Sequence, residues 1–132
     1  MSTDKIIKAI QESRDGMNSL IENNEVINNI RKASHLIEKT ISNNSRIFSC
    51  GNGGSMCDAM HFSEELSGRF RENRKGLPSV SISDPSYLTC VANDFGFEFV
   101  FSRYLEANAK ENDLLLAIST SGESKNLSLI HI

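Results

Sequence analysis

The sequence predicts an α/β fold, a doubly wound parallel sheet preceded by two helices, and three features support this prediction. First, apolar residues recur with helical spacing over residues 6–21 and 25–41, ahead of any strand. Second, from residue 46 onward short apolar strands alternate with helical segments, as in a parallel sheet with both faces covered. Third, polar loops follow the strands, and such loops meet at one rim of a parallel sheet.

The predicted elements can be read in order along the chain. Paired asparagines at 23–24 and 43–44 separate the two leading helices from each other and from the sheet. The remaining elements are strand 46–50, helix 54–68, strand 79–82, helix 85–93, helix 98–109 and strand 114–118. Because a small sheet cannot cover two helical stripes, residues 1–44 are expected to provide an oligomer surface.

The chain is expected to be a single domain whose sheet is incomplete. A doubly wound sheet usually continues beyond a third strand, so later strands are expected to be missing from residues 45–126. The last six residues, 127–132, can be back-translated as CTG TCT CTT ATA CAC ATC, which matches a common transposase sequencing adaptor. We therefore expect residues 127–132 to be a non-native tail.

Composition argues against several classes of function. The formal net charge of −3 leaves no basic surface typical of nucleic-acid binding, so no nucleic-acid partner is expected. No apolar run approaches the roughly 18 residues of a membrane span, and residues 1–8 do not resemble a secretory signal. Cys50, Cys57 and Cys90 show no C-x-x-C spacing, which favours reduced thiols. These features predict a cytoplasmic protein without a membrane role.

The loop of residues 51–55, Gly-Asn-Gly-Gly-Ser, is a candidate phosphate site between a strand and a helix. Glycine lets the backbone approach a ligand, and the first amides of the helix point toward it. No Lys-Ser/Thr pair follows, and Met56 stands where a dinucleotide fingerprint has its third glycine. The alternative is a tight strand-to-helix turn with Ser55 near the N-cap.

The loop of residues 119–124, Ser-Thr-Ser-Gly-Glu-Ser, again follows an apolar strand and opens a helix. Its four hydroxyls and free amides could surround a phosphate without any lysine. A capping box from Thr120 to Glu123 is the alternative, and it leaves three serines without a role. The sequence therefore favours an anion site at this loop.

His61 and Glu65 lie four residues apart on the predicted helix 54–68, so both project from one face. Such a pair can hold a divalent metal or share a substrate proton, and Glu64 is also within reach. The alternative is a half-buried structural histidine. Because a catalytic metal site typically needs three protein ligands, the others are expected from missing sequence or another subunit.

Two further groups of polar residues can each be interpreted in two ways. Asn93 and Asp94 precede Phe-Gly between two helices, where they either end a helix or contact substrate hydroxyls. Arg69 and Arg74 belong to a basic cluster whose members are solvated surface charges or, alternatively, phosphate or interface contacts.

Five blocks of the sequence resemble the sugar-isomerase (SIS) domain family, and within it the bacterial phosphoheptose isomerases. They are Ser-Cys-Gly-Asn-Gly-Gly-Ser at 49–55, Asp-Ala-Met-His-Phe-Ser-Glu-Glu-Leu at 58–66, Gly-Arg-Phe-Arg-Glu-Asn-Arg at 68–74, Val-Ala-Asn-Asp-Phe-Gly at 91–96 and Ala-Ile-Ser-Thr-Ser-Gly at 117–122. The resemblance extends to about Asn126. It implies a flavodoxin-like SIS fold and makes residues 45–126 a partial SIS sugar-phosphate-binding domain.

The resemblance implies an isomerase that converts sedoheptulose 7-phosphate to D-glycero-D-manno-heptose 7-phosphate through an enediolate, for the heptose of lipopolysaccharide. It implies a homotetramer with one zinc per subunit and active sites shared between subunits. By position, His61 and Glu65 match metal ligands, and Glu65 also matches the catalytic base. The matching substrate-binding residues are Asn52, Gly53, Gly54, Ser55, Glu65, Asn93, Asp94, Ser119, Thr120, Ser121 and Ser124. A glutamine and a second histidine that the family uses near its C-terminus are absent, so this chain itself is expected to be inactive.

Two other functions fit the same resemblance. A non-catalytic SIS protein of the DNA-replication-initiator-associating type acts by protein–protein contact, and it lacks the carboxylate found here at Glu65. A sugar-phosphate-sensing regulatory domain would keep the serine loop without the His–Glu pair, and it usually accompanies a DNA-binding module. The presence of Glu65 favours the isomerase.

Overall fold

The structure, a computed structural model, describes residues 2–131. The helices and strands of this part are α1 Thr3–Glu22, α2 Asn24–Ser42, β1 Ile47–Gly51, α3 Gly54–Ser67, β2 Ser79–Ser81, α4 Pro85–Asp94, α5 Val100–Asn108, β3 Leu114–Ile118 and α6 Lys125–Ser128. Short 3₁₀ helices occupy Phe97–Phe99 and Leu129–His131. Ile132, the end of the predicted non-native tail, lies outside the described residues.

The chain divides into two compact units, residues 1–36 and 37–132. The first unit contains α1 and most of α2, and no residue of α1 is buried. Its exposed large apolar side chains are Ile6, Ile7, Ile10, Met17, Leu20, Ile21, Ile27, Ile30 and Leu36. Neither of these long helices, nor any other within residues 2–131, combines the length and the apolar content that crossing a membrane requires.

The second unit is built on a parallel three-stranded sheet in the order β2-β1-β3. Ile47 of β1 pairs with Ser79 on one side and with Leu114 on the other, and every residue of β1 is buried. The chain thus winds outward to β2 and returns to add β3 on the opposite side of β1. Such a reversal leaves a crevice beyond the carboxyl ends of β1 and β3.

Helices cover both faces of the sheet. Neighbouring residues of β1 point to opposite faces, so two of them show which helices lie on each side. The Ser49 hydroxyl donates to the Ala59 carbonyl of α3 over 2.7 Å. Cys50 belongs instead to the apolar core with Val91 of α4 and Phe101 of α5. The predicted doubly wound parallel sheet is confirmed.

The helical segment predicted over 98–109 begins differently in the structure. Gly96 has φ +106°, and the chain then forms the 3₁₀ turn at 97–99 before α5. A positive φ is readily available to glycine and redirects the chain after α4. The predicted strand 114–118 has the observed bounds, and the other predicted elements agree with the observed ones to within three residues at each end. Leu127 and Ile130, within the predicted tail, pack against the core.

Candidate active site

The turn from β1 into α3 forms one wall of a small polar cavity. Gly53 precedes α3 with φ +56°, a conformation that glycine adopts without strain. A Cβ added to Gly51 would lie 2.6 Å from the Ser55 carbonyl oxygen, so this close turn requires glycine. The turn brings Ser55 into the first turn of α3, where it is buried. Gly53 and Gly54 are exposed beside it.

The loop of residues 119–124 after β3 forms the opposite wall. The Ser119 hydroxyl oxygen accepts a hydrogen bond from the Gly122 amide over 3.0 Å, and the Ser121 hydroxyl oxygen accepts one from the Glu123 amide over 3.2 Å. These bonds use hydroxyl oxygens as acceptors, so both O–H groups can still donate to a ligand. Hydrogen bonds to its own serine hydroxyls therefore stabilise the conformation of this loop.

The two loops meet at the carboxyl ends of β1 and β3. They enclose a cavity of about 70 Å³ lined by Asn52, Ser55, Ile118, Ser119, Thr120, Ser121 and Ser124. This is roughly the space of two waters in the liquid. A small, hydroxyl-lined recess of this kind suits one compact anion better than a whole sugar.

Asn126 joins the two walls, although the sequence interpretation did not select it as a site residue. Its carboxamide and that of Asn52 hydrogen-bond to each other in both directions, each over 2.9 Å. Asn126 is only 2% exposed. Because 74 residues separate the two, no local sequence pattern marks the pair.

The predicted His–Glu pair is present on α3. His61 Nε2 lies 3.2 Å from Glu65 Oε1 and 3.9 Å from Glu64 Oε1. The side chains of His61 and Glu64 are 70% and 71% exposed, whereas that of Glu65 is 31% exposed. One ligand atom from each of the three residues lies within 4.8 Å of the others. An imidazole and carboxylates at this separation form a donor set that fits zinc.

A larger, mostly apolar cavity lies beside this pair. Its volume is about 550 Å³, and it is lined by Asp58, His61, Phe62, Glu65, Leu66, Phe70, Arg74 and Leu77. The Arg74 guanidinium donates to the carbonyl oxygens of Glu65 and Leu66 over 2.7 and 2.8 Å. A cation there satisfies carbonyls that the end of a helix leaves without partners. Arg74 therefore supports the turn that carries Glu65.

Asn93 and Asp94 line neither of these two cavities. They are the exposed last residues of α4, and the Asn93 side-chain amide donates to Asp94 Oδ1 over 2.9 Å. The Cys90 thiol donates to Asp94 Oδ2 over 3.5 Å. This hydrogen bond is the main cause of the raised pKa of Cys90, and the negative charge of Asp94 adds to it.

Within the single chain, the predicted site residues therefore fall into separate places. The structure brings Asn52 and Ser55 together with the serines and threonine of the second loop. The pair of His61 and Glu65 lies farther along α3, beside a different cavity. Helix α3 is the element that links the two cavities.

Comparison with known proteins agrees with this architecture. The family model described as "SIS domain" matches residues 10–129. The chain belongs to the SIS domain family. Phosphoheptose isomerases from Cytophaga hutchinsonii and Glaesserella parasuis are 55% and 51% identical to this SIS domain over 122 and 127 residues. These alignments cover 92% and 96% of the chain but 64% and 66% of the relatives.

Solved structures show the same likeness. Phosphoheptose isomerase GmhA from Neisseria gonorrhoeae matches with a TM-score of 0.89 at 32% identity, covering 97% of this chain and 66% of that one. A phosphoheptose isomerase from Francisella tularensis matches with a TM-score of 0.91 at 30% identity, covering 99% and 69%. The SIS domain thus spans just under two thirds of the length of the curated relatives cited above.

Proposed function

We propose that this SIS domain belongs to an aldose–ketose isomerase that converts sedoheptulose 7-phosphate to D-glycero-D-manno-heptose 7-phosphate. The observation that carries the proposal is the His61–Glu65 contact of 3.2 Å, in a chain about half identical to proteins named phosphoheptose isomerase. The comparisons give no support to the non-catalytic alternative.

Glu65 is proposed as the catalytic base. Moving a carbonyl between C1 and C2 removes a proton from carbon, forms an enediolate and returns a proton, and a carboxylate suits both transfers. His61 orients the Glu65 carboxylate through their contact. A zinc ion bound by His61 and Glu65, with further ligands from outside this chain, would supply positive charge for the enediolate oxygens.

The cavity between the two loops is proposed to hold the phosphate of the substrate. Asn52, Ser55 and the hydroxyls of residues 119–124 would donate to its oxygens, together with the backbone of Gly53 and Gly54. Asn93 and Asp94 are proposed to contact sugar hydroxyls. This assignment uses the small polar cavity for the anion and leaves the larger cavity, beside Glu65, for the reacting carbons.

The assembly is proposed to be a homotetramer with active sites shared between subunits. The exposed apolar side chains of α1 support this, because a stripe of this kind needs a partner surface. Residues 1–44 would then form the oligomer surface and residues 45–126 the sugar-phosphate-binding part. We place the reaction in the cytoplasm, in the supply of heptose for lipopolysaccharide, with no nucleic-acid or membrane partner.

The test of this function replaces Glu65 in the full-length protein. Glu65→Gln keeps the size of the side chain but removes the base, so turnover of sedoheptulose 7-phosphate should fall by about 10²- to 10⁴-fold. Glu111→Gln is the matched control, because Glu111 carries the same charge, is exposed and lines neither of the two cavities. It should leave turnover near the wild-type rate.

Two results would contradict the proposal in different ways. Near wild-type turnover by Glu65→Gln would remove Glu65 from the mechanism. Absence of the heptose product with the full-length wild-type protein would exclude the isomerase itself. Product formation is followed by chromatography, and circular dichroism establishes that each variant is folded.

A further inference from the structure

Asn126 occupies an unusual position for a polar side chain. It is 2% exposed and belongs to the short helix α6 that follows the serine loop. Burying a carboxamide is costly unless its donors and acceptors find partners. Asn126 finds them in Asn52, at the end of β1 and 74 residues away, through two hydrogen bonds of 2.9 Å.

The pairing determines which polar atoms of Asn52 remain for a ligand. A carboxamide has two N–H donors and two acceptor lone pairs on its oxygen. The reciprocal bonds take one donor and one lone pair from each partner. Asn126 is enclosed, whereas Asn52 is partly exposed and lines the cavity between the loops. The second N–H of Asn52 is therefore the donor that can reach a bound anion.

The same pairing cross-links the segments that follow β1 and β3. One wall follows β1 and the other follows β3, and each carries one member of the pair. No other side chain–side chain hydrogen bond described within residues 2–131 joins these two loop regions. The β1–β3 pairing extends to Gly51 and Ile118 and so holds the bases of the two loops together. Without the pair, Asn52 would be free to rotate and the parts of the loops beyond those residues would lose this cross-link.

We propose that Asn126 is a positioning residue for phosphate binding, which acts by holding the Asn52 carboxamide and the two loops in register. This inference rests on the proposed function, because it takes the small cavity to be the phosphate site. Asn126 does not line that cavity, so it acts through Asn52.

Two variants test the inference in the full-length protein. Asn126→Asp keeps the shape but replaces a donor with an oxygen that faces Asn52 Oδ1, and Asn126→Leu removes both hydrogen bonds. Each should raise the Kd for inorganic phosphate, measured by calorimetry, by about tenfold or more. Asn108→Asp is the matched control, because Asn108 is exposed on α5 and bonds only within its helix to the Tyr104 carbonyl. It should leave the Kd unchanged.

Steady-state kinetics separate positioning from a general loss of structure. If Asn126 positions the phosphate site, KM for the sugar phosphate rises in the Asn126 variants while kcat stays close to wild type. Equal loss of kcat and of folded protein, with unchanged KM, would show a structural role only and overturn the inference.

A measurement on the wild-type protein tests the inference even if both variants fail to fold. Inorganic phosphate is titrated into ¹⁵N-labelled protein while the side-chain amide signals of Asn52 and Asn126 are followed. Both should shift together with the backbone amides of residues 119–124. Shifts of those amides without any change at Asn126 would refute the positioning role and leave the phosphate site standing. No shift at residues 119–124 would instead refute the phosphate site of the proposed function.

Discussion

At the scale of single residues, the three thiols have clearly different surroundings. Cys50 lies in the core, and its burial raises its pKa to about 12. Cys90 and Cys57 are both exposed. The hydrogen bond from Cys90 to Asp94, and the charge of that carboxylate, raise the pKa of Cys90. Since the thiolate is the nucleophile, reactivity should follow these surroundings.

We therefore predict that iodoacetamide at mildly alkaline pH modifies Cys57 first, Cys90 more slowly and Cys50 only after unfolding. Asp94→Asn removes the negative charge that opposes the Cys90 thiolate, so it should speed alkylation of Cys90. Mass spectrometry of timed samples measures each rate, and Cys57 in the same sample is the internal control. An unchanged Cys90 rate in Asp94→Asn would contradict the predicted influence of that carboxylate.

What the sequence predicts at this scale depends on how local the contact is. His61 and Glu65 could be paired from sequence because helical geometry brings residues i and i+4 together. The partnership of Asn52 and Asn126 could not, because it depends on the packing of two loops that are distant in sequence. The role of Arg74 at the end of α3 was missed for a similar reason, because it depends on the path of the chain after the helix.

At the scale of elements, the start of α4 is fixed by a side-chain cap. The Asp84 carboxylate accepts a hydrogen bond from the Tyr87 amide over 2.7 Å and another from the Ser86 hydroxyl. Pro85 follows at the first helical position, which suits its fixed φ. The Ser86 hydrogen bond and then the Tyr87 hydrogen bond are the main causes that lower the pKa of Asp84.

This cap should make the stability of α4 depend on pH. Because the folded-state pKa is below the ordinary value of 3.8, the stabilisation is fully present above that value and is lost as the pH falls through the lower one. Asp84→Ala should therefore lower Tm clearly at neutral pH and progressively less as the pH falls below 3.8. Thermal unfolding followed by circular dichroism measures this difference.

Asp84→Asn is the control for the cap, because asparagine also caps helices but does not titrate in this range. Because neither variant titrates at residue 84, the Tm difference between Asp84→Asn and Asp84→Ala should depend little on pH. An equal effect of Asp84→Ala at neutral and at acidic pH would show that the charged form of the carboxylate adds nothing to the cap.

Most of the element sequence was predictable because periodicity is a local property. Strand β3 was predicted with its observed bounds, Leu114–Ile118, since a run of apolar residues lies between polar loops. The break at 97–99 was missed because it depends on the backbone angle of Gly96. The strand order β2-β1-β3 was not assigned from sequence either, since strand pairing joins residues far apart in the chain.

At the scale of the whole molecule, the apolar face of α1 should determine the state of association. Ile10 is 65% exposed, and it lies on the stripe with Met17 and Ile21. Ile10→Lys places a charge where we propose that another copy packs, so the full-length variant should dissociate to smaller species. Size-exclusion chromatography with light scattering measures the mass.

The matched control uses the opposite side of the same helix. Ser19 is nine residues from Ile10, which at about 100° per residue is half a turn away. Ser19→Lys adds the same charge to α1 and should leave the mass unchanged. If Ile10→Lys also retains the wild-type mass, the stripe of α1 is not the oligomer surface.

The length of helix α3 determines how far apart the residues of the two cavities lie. This helix carries Ser55 in its first turn and Glu65 ten residues later, a distance along the axis of about 15 Å at 1.5 Å per residue. A helix does not shorten to bring its ends together, so these two backbone positions keep this spacing whatever binds. The proposed substrate would have to bridge it with the reach of the Ser55 and Glu65 side chains, within one copy or between two. If it bridges two copies, specific activity declines on dilution as the copies separate.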